Sequence, residues 1–124
     1  MRNADTYKSL DVWNDAMLLT EIVYDLIKKL PEEEDRGLSD QMRRAAVSIA
    51  SNIAEGEARN PNEPGKFAWY LSVASGSRSE LETQLQICVR VKYFTDSDIS
   101  TAMDLLRKIG LGIKSLISKN KTDK

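Results

Sequence analysis

Histidine is absent from the sequence. That removes the commonest general base and the commonest transition-metal ligand, and with it the Glu-x-x-His pairing on which carboxylate-bridged metal sites in helical bundles rely. No metal ligand set and no cofactor is therefore assigned. A single cysteine, Cys88, excludes an intramolecular disulfide. It lies between Ile87 and Val89 in an apolar helical pattern, where it reads as a small buried hydrophobe without an activating neighbour. No apolar run approaches the roughly 18 residues that a membrane span needs, and Met1–Ser9 lacks the apolar core of a secretion signal. The expected compartment is the cytoplasm, with no membrane partner. Charge of one sign is not in excess either: 18 basic and 19 acidic side chains leave a net −1, which does not favour electrostatically driven nucleic-acid binding. Aromatic residues make up only 6% of the chain and do not interleave with the basic ones, which argues against stacking on single-stranded bases.

What is present is helical periodicity. Val12, Ala16, Leu19, Val23, Leu26 and Leu30 step by four and three, a heptad seam. Trp13, Met17, Thr20, Tyr24 and Ile27 form a second seam beside it, wider than one partner helix requires. Pro31 closes this first helix, expected over about 11–30, because the residue before a proline is pushed out of the helical region. A second helix is expected over about 38–57 with Ser39 as its N-cap. The stretch "EARNPNEPGK" is a turn, with Pro64 an alternative first residue of the third helix, expected over about 65–92. The face of that helix carries Phe67, Tyr70, Leu71, Ala74, Ser77, Leu81, Leu85, Cys88 and Val91. Thr95 and Asp98 resemble a capping box opening a fourth helix over about 96–118, with a frayed tail. No segment alternates with period two. The 124 residues are read as one all-α domain, 1–124, an antiparallel up-down-up-down four-helix bundle.

The second helix raises the functional question. In "QMRRAAVSIASNIAEGEARN", Arg44, Ser48, Asn52, Glu55 and Arg59 fall within about 80° of one another at 100° per residue. Arg43 falls on the flank of the apolar arc. One reading is structural: Arg44 with Glu55, and Arg43 with Glu80 or Glu82, form ion pairs, and Ser48 and Asn52 satisfy partners across a close helix contact. The other is functional: Arg43, Arg44 and Arg59 offer guanidinium groups to phosphate. Glu80 and Glu82 lie about 200° apart and cannot share a substrate. Charge is also polarised along the chain. Residues 1–40 hold five basic and ten acidic side chains, and residues 41–124 hold thirteen and nine, a local +4. Arg78, Arg90, Arg107, Lys108 and Lys114 are the further basic candidates for nucleic-acid contact.

The stretches "LDVWNDAMLLTEIVYDL", "RRAAVSIASNIAEG" and "GSRSELETQL" together resemble the four-helix-bundle proteins encoded by intervening sequences within bacterial 23S ribosomal RNA genes. The resemblance covers about residues 10–91. Ala50 stands where the family commonly has proline, which predicts a straighter second helix, and Ser75 stands where an arginine is common. The resemblance implies a ring-like homopentamer with a central channel and no enzymatic activity. It further implies relatedness to the accessory variability determinant proteins of diversity-generating retroelements, which bind nucleic acid and a reverse transcriptase through a basic surface. Partners expected on this basis are further copies of the chain, RNA or DNA, and a reverse transcriptase or other nucleic-acid enzyme. The expected function is accessory nucleic-acid binding, weak and unselective, with a protein-binding scaffold as the alternative. The second seam (Trp13, Tyr24) and the glycines of the fourth helix (Gly110, Gly112) are expected at the subunit interface, and Gly76 is expected to permit close backbone approach.

Overall fold

The heptad seam of the N-terminal segment forms helix α1, Asp11–Ile27, with Val12, Ala16, Leu19, Val23 and Leu26 buried. The structure, a computed structural model, describes residues 6–122. A short 3-10 turn, Thr6–Ser9, precedes α1, and α2 (Leu38–Arg59), α3 (Pro64–Arg90) and α4 (Asp96–Thr122) follow, with no strand among the described residues. Cross-chain contacts set the directions. Met42 meets Cys88, Ser48 meets Ser77 and Gly56 meets Phe67 and Tyr70, so α2 and α3 are antiparallel. Arg78 reaches Leu106 and Gly112 meets Val12, so α4 runs against both α3 and α1. Each helix packs on its sequence neighbours and α4 closes on α1, which is the up-down-up-down bundle.

Local chemistry explains most of the boundaries and corrects several, the α2 end among them, at Arg59 rather than 57. α1 ends at Ile27, three residues earlier than expected. Its last turn tightens into i→i+3 bonds, Lys29 to Leu26 at 3.0 Å and Leu30 to Ile27 at 2.9 Å, which keeps Leu30 in the core although it stands before Pro31. Ser39 does not cap α2. It lies inside the first turn, fully buried, and its hydroxyl has no hydrogen-bond partner. Gly37 holds the N-cap position, and the Glu34 carboxylate accepts the Leu38 N–H at 3.3 Å instead. A carboxylate there also suits the positive end of the helix dipole. Pro64 is the first residue of α3. The Thr95–Asp98 box forms in both directions, Thr95 N–H to the Asp98 carboxylate at 2.8 Å and Asp98 N–H to the Thr95 hydroxyl at 3.1 Å. α4 then continues to Thr122, through most of the tail expected to fray; residues 123–124 lie outside the described residues. α2 runs without a break through Ala50. Val91, expected on the buried face of α3, is instead 51% exposed, because the helix has ended at Arg90.

The end of α3 carries a backbone conformation that its sequence does not suit. Tyr93 N–H bonds to Cys88 C=O at 2.8 Å and Lys92 N–H to Val89 C=O at 3.1 Å, the Schellman pattern. Its left-handed residue is Lys92, φ 73°, where glycine is usual. Lys92→Gly should therefore stabilise the fold, by about 0.5–1 kcal/mol after the entropy that glycine adds to the unfolded chain. Thermal unfolding followed by circular dichroism should show Tm raised by about 2–4 °C; a lower Tm would mean that the lysine side chain holds the turn.

Candidate nucleic-acid interface

α2 and α3 make the most intimate pairing in the bundle, because small residues face each other across it. A Cβ at Gly56 would lie 3.2 Å from Tyr70 Cβ and 3.3 Å from the Phe67 carbonyl. α3 and α4 sit less closely, and a groove of about 820 Å³ opens between them. Ser72, Ser75 and Gly110 keep its walls low, and Met103, Leu111 and Ile117 supply apolar surface. Arg78 is wedged at its inner edge. The guanidinium lies where a side chain at Gly110 would go, 3.0 Å from the position of a Cβ. Nη1 donates to the Leu106 carbonyl at 3.2 Å and lies 3.8 Å from the Glu82 carboxylate, while the buried Nε–H has no partner. Arg107 and Lys114, seven residues apart on α4 and thus on one face, line the same groove. Glu82 and Asp104 line it too, so three cations face two carboxylates. Such a surface can hold an anion against Arg78 with two solvated cations beside it.

The other basic candidates are not in the groove. Arg90 and Lys108 are exposed elsewhere, Lys108 standing about 100° round α4 from Arg107. Arg44 is exposed and pairs with Asp40 at 3.0 Å, not with Glu55. Eleven residues separate Arg44 from Glu55, about 16 Å along the helix axis, so a shared angular position does not bring them together. An exposed i,i+4 pair contributes about 0.3–0.5 kcal/mol, and Arg44 compensates no buried carboxylate. Glu55 pairs instead with Arg59 at 3.1 Å, and Arg59 also approaches Glu63 at 3.6 Å. Arg43 bonds neither Glu80 nor Glu82. It lies on the α1 flank of α2, where it donates to the Asp35 carbonyl at 3.3 Å and lines a hollow with Tyr24 and Val47. Glu80 faces Arg44 across a small pocket that Ser48 and Ser77 also line, and Glu82 faces Arg78.

The middle of the polar stripe is glue between helices. Ser48 and Ser77 share a hydrogen bond of 2.7 Å, and Asn52 donates to the Ser48 carbonyl at 2.8 Å and hydroxyl at 3.0 Å. Trp13 is half-buried, edge-on to Tyr7 at 5.2 Å, and Tyr24 is 43% exposed. Gly110 and Gly112 have packing reasons within the chain, against Arg78 and Val12. A side chain at Gly76 would meet nothing within 4 Å, so no close approach within the chain accounts for that glycine.

Several groups escaped the sequence reading. Glu57 is buried, at 3% exposure; its position about 220° from Arg44 lies inside the apolar arc, so the wheel did contain the signal. Tyr93 donates to Glu34 at 2.8 Å across 59 residues, tying the α1–α2 connection to the α3–α4 connection. That bond holds the Tyr93 hydroxyl above its usual pKa. The Thr95 backbone bond lowers that of Asp98. Trp69 is 60% exposed and edge-on to Tyr70. Cys88 Sγ lies 3.9 Å from Met42 Sδ in the core, with no base disposed to activate it. Among the described residues no cluster of metal-ligating side chains occurs, and no helix is long and apolar enough to cross a membrane.

A family model for the 23S rRNA-intervening sequence protein matches residues 8–115. Among solved structures, the chain is similar to a protein of unknown function from the S23 ribosomal protein family of Bacteroides thetaiotaomicron. The two share 24% identity and a TM-score of 0.76, over 86% of this chain and 97% of the other. At that identity the likeness concerns the fold alone. No curated protein matches the chain.

Proposed function

The chain belongs to the 23S rRNA-intervening sequence protein family, and from that premise we propose that it is a non-enzymatic, homo-oligomeric accessory protein that binds nucleic acid weakly through backbone phosphates. The observation that carries the reading is the convergence of Arg78, Arg107 and Lys114 on the α3–α4 groove. The three come from two helices and are 36 residues apart in sequence at their extremes, yet they line one concavity. Arg78 is held in place by the Leu106 carbonyl, with about a quarter of its side chain (24%) open to solvent. A preorganised guanidinium suits a phosphate oxygen better than a mobile one does. The run Glu32–Asp35 lies at the α1–α2 connection and lines no part of the groove. One groove with a net single positive charge binds weakly; copies related by symmetry repeat it and multiply the effect. Contacts to backbone phosphate carry no sequence information, so little sequence preference is expected.

Fluorescence anisotropy with labelled RNA and DNA at low salt tests this. Binding is expected in the roughly 10⁻⁴–10⁻⁶ M range of non-specific association and should weaken steeply with salt. Arg107→Gln with Lys114→Gln should weaken all sequences alike and reduce the logarithmic salt slope on duplex DNA by about 2, since each phosphate contact contributes about 0.9. Lys108→Gln, outside the groove, should leave the slope nearly unchanged. No anisotropy change at protein concentrations well above that range would defeat the proposal and favour a protein-binding scaffold for a nucleic-acid enzyme such as a reverse transcriptase.

A further inference from the structure

Among the described residues Trp69 is the most exposed large hydrophobic side chain, at 60%, yet its ring has a partner. Its ring packs edge-on against Tyr70, centroids 4.9 Å apart at 78°. Tyr70 is covered on its face by the Arg59 guanidinium at 5.4 Å. Arg59 is held in turn by Glu55 and Glu63. The indole is thus oriented from behind by an aromatic and an ion-paired arginine while most of its own surface stays open. A scattered apolar residue on a surface needs no explanation; a Trp braced in this way and left open has a free ring face that a base could cover.

Its position relates it to the groove. Ser72, which lines the groove, is one helical turn from Trp69 and about 60° round α3, and Arg78 is nine residues on, about 14 Å along α3 and about 180° round it, at the other end of the i, i+3 row Trp69, Ser72, Ser75, Arg78. Lys66, three residues before Trp69, shares its side of the helix and pairs only with the exposed Glu63, at 3.0 Å. Exposed pairs of this kind contribute little and exchange readily. A strand that lays phosphates on Arg78, Arg107 and Lys114 and crosses α3 obliquely along the row Arg78, Ser75, Ser72 reaches Trp69 within the roughly 4–16 nucleotides of ordinary single-strand sites. The bases of a duplex already stack on each other and have no free face to offer. Resting on the phosphate-binding reading of the groove, we infer that the ligand class is single-stranded nucleic acid, with an unpaired base stacked on Trp69. Stacking on Trp69 is inferred against the sequence-level expectation because the fold gathers Trp69, Tyr70, Lys66 and Arg59 at one end of the α2–α3 pair.

The chain has two tryptophans, so a Trp13→Phe background leaves Trp69 as the sole reporter. Single-stranded and duplex oligonucleotides of the same sequence are titrated, reading both tryptophan emission and anisotropy. The single strand should quench the emission and bind more tightly than the duplex. Trp69→Ala in the parent chain should weaken single-strand binding about 5- to 160-fold, the usual range for loss of one stacked base, and leave duplex affinity unchanged; Trp69→Tyr should restore much of it. An unaltered melting curve for Trp69→Ala separates lost stacking from lost fold. Equal affinity for the two forms, without quenching, overturns the inference and leaves the phosphate-binding groove standing. Binding of neither form removes both.

Discussion

Phe67→Ala should destabilise the protein by about 3–5 kcal/mol, the usual result of emptying a fully buried aromatic site. Phe67 is 1% exposed and the first large core residue of α3. Its carbonyl lies 3.3 Å from where a Cβ of Gly56 would be, so α2 and α3 are at their tightest beside it. The rigid backbone approach limits how far the helices can collapse into the space left behind, which puts the cost toward the upper part of that range. Domains of this size have about 6–15 kcal/mol in all, so the loss is a large share of the total. Tm should fall by about 10–20 °C, read by circular dichroism at 222 nm. Trp69→Ala, two residues away on the exposed side, serves as the control and should move Tm little. If Phe67→Ala melted within about 3 °C of the parent, the packing at this end of the bundle would be wrong.

Cys88 should be nearly inert while the protein is folded. Burial, with the negative charge of Glu34 adding to it, pushes the thiol from an ordinary value of 9.0 to about 11. Two units cut the thiolate fraction near pH 8 by about 100-fold, and the thiolate is the nucleophile. Exclusion of the reagent from the core adds to this. Iodoacetamide labelling followed by mass spectrometry should therefore be at least about 100-fold slower in the native protein than in urea. Native labelling at the unfolded rate would show that Cys88 is accessible and that the α2–α3 seam opens. The same shift has a consequence for stability. A group whose folded pKa is raised stabilises the fold below its unfolded pKa, and that contribution disappears as pH climbs through the folded value. Cys88 and Tyr93 both act in this direction, so the fold should weaken in alkali as pH approaches 11. Asp98 has the opposite sign. Its lowered pKa stabilises above the unfolded value and is lost as pH falls through the folded one.

The sequence by itself determined the helices, because what makes them is local. The apolar seams repeat every three or four residues, Pro31 and Pro64 punctuate them, and the reciprocal bonds of Thr95 and Asp98 span only three residues. The four-helix bundle followed, since wide apolar faces on short-linked helices have few other ways to be covered. Tertiary structure decided the partners of the polar residues. A helical wheel reports angle but not height, which is why Arg44 and Glu55 looked paired and are not. Nor does it report which neighbouring helix lies on a given flank, which is why Arg43 turns to the α1–α2 connection rather than to Glu80 or Glu82. Glu34 meets Tyr93 across 59 residues and Ser48 meets Ser77 across 29. Arg78, Arg107 and Lys114 came together, and Trp69 acquired its brace, only when the helices docked in one register. That register is set by side-chain volumes summed along whole interfaces, a quantity that no short stretch of sequence contains.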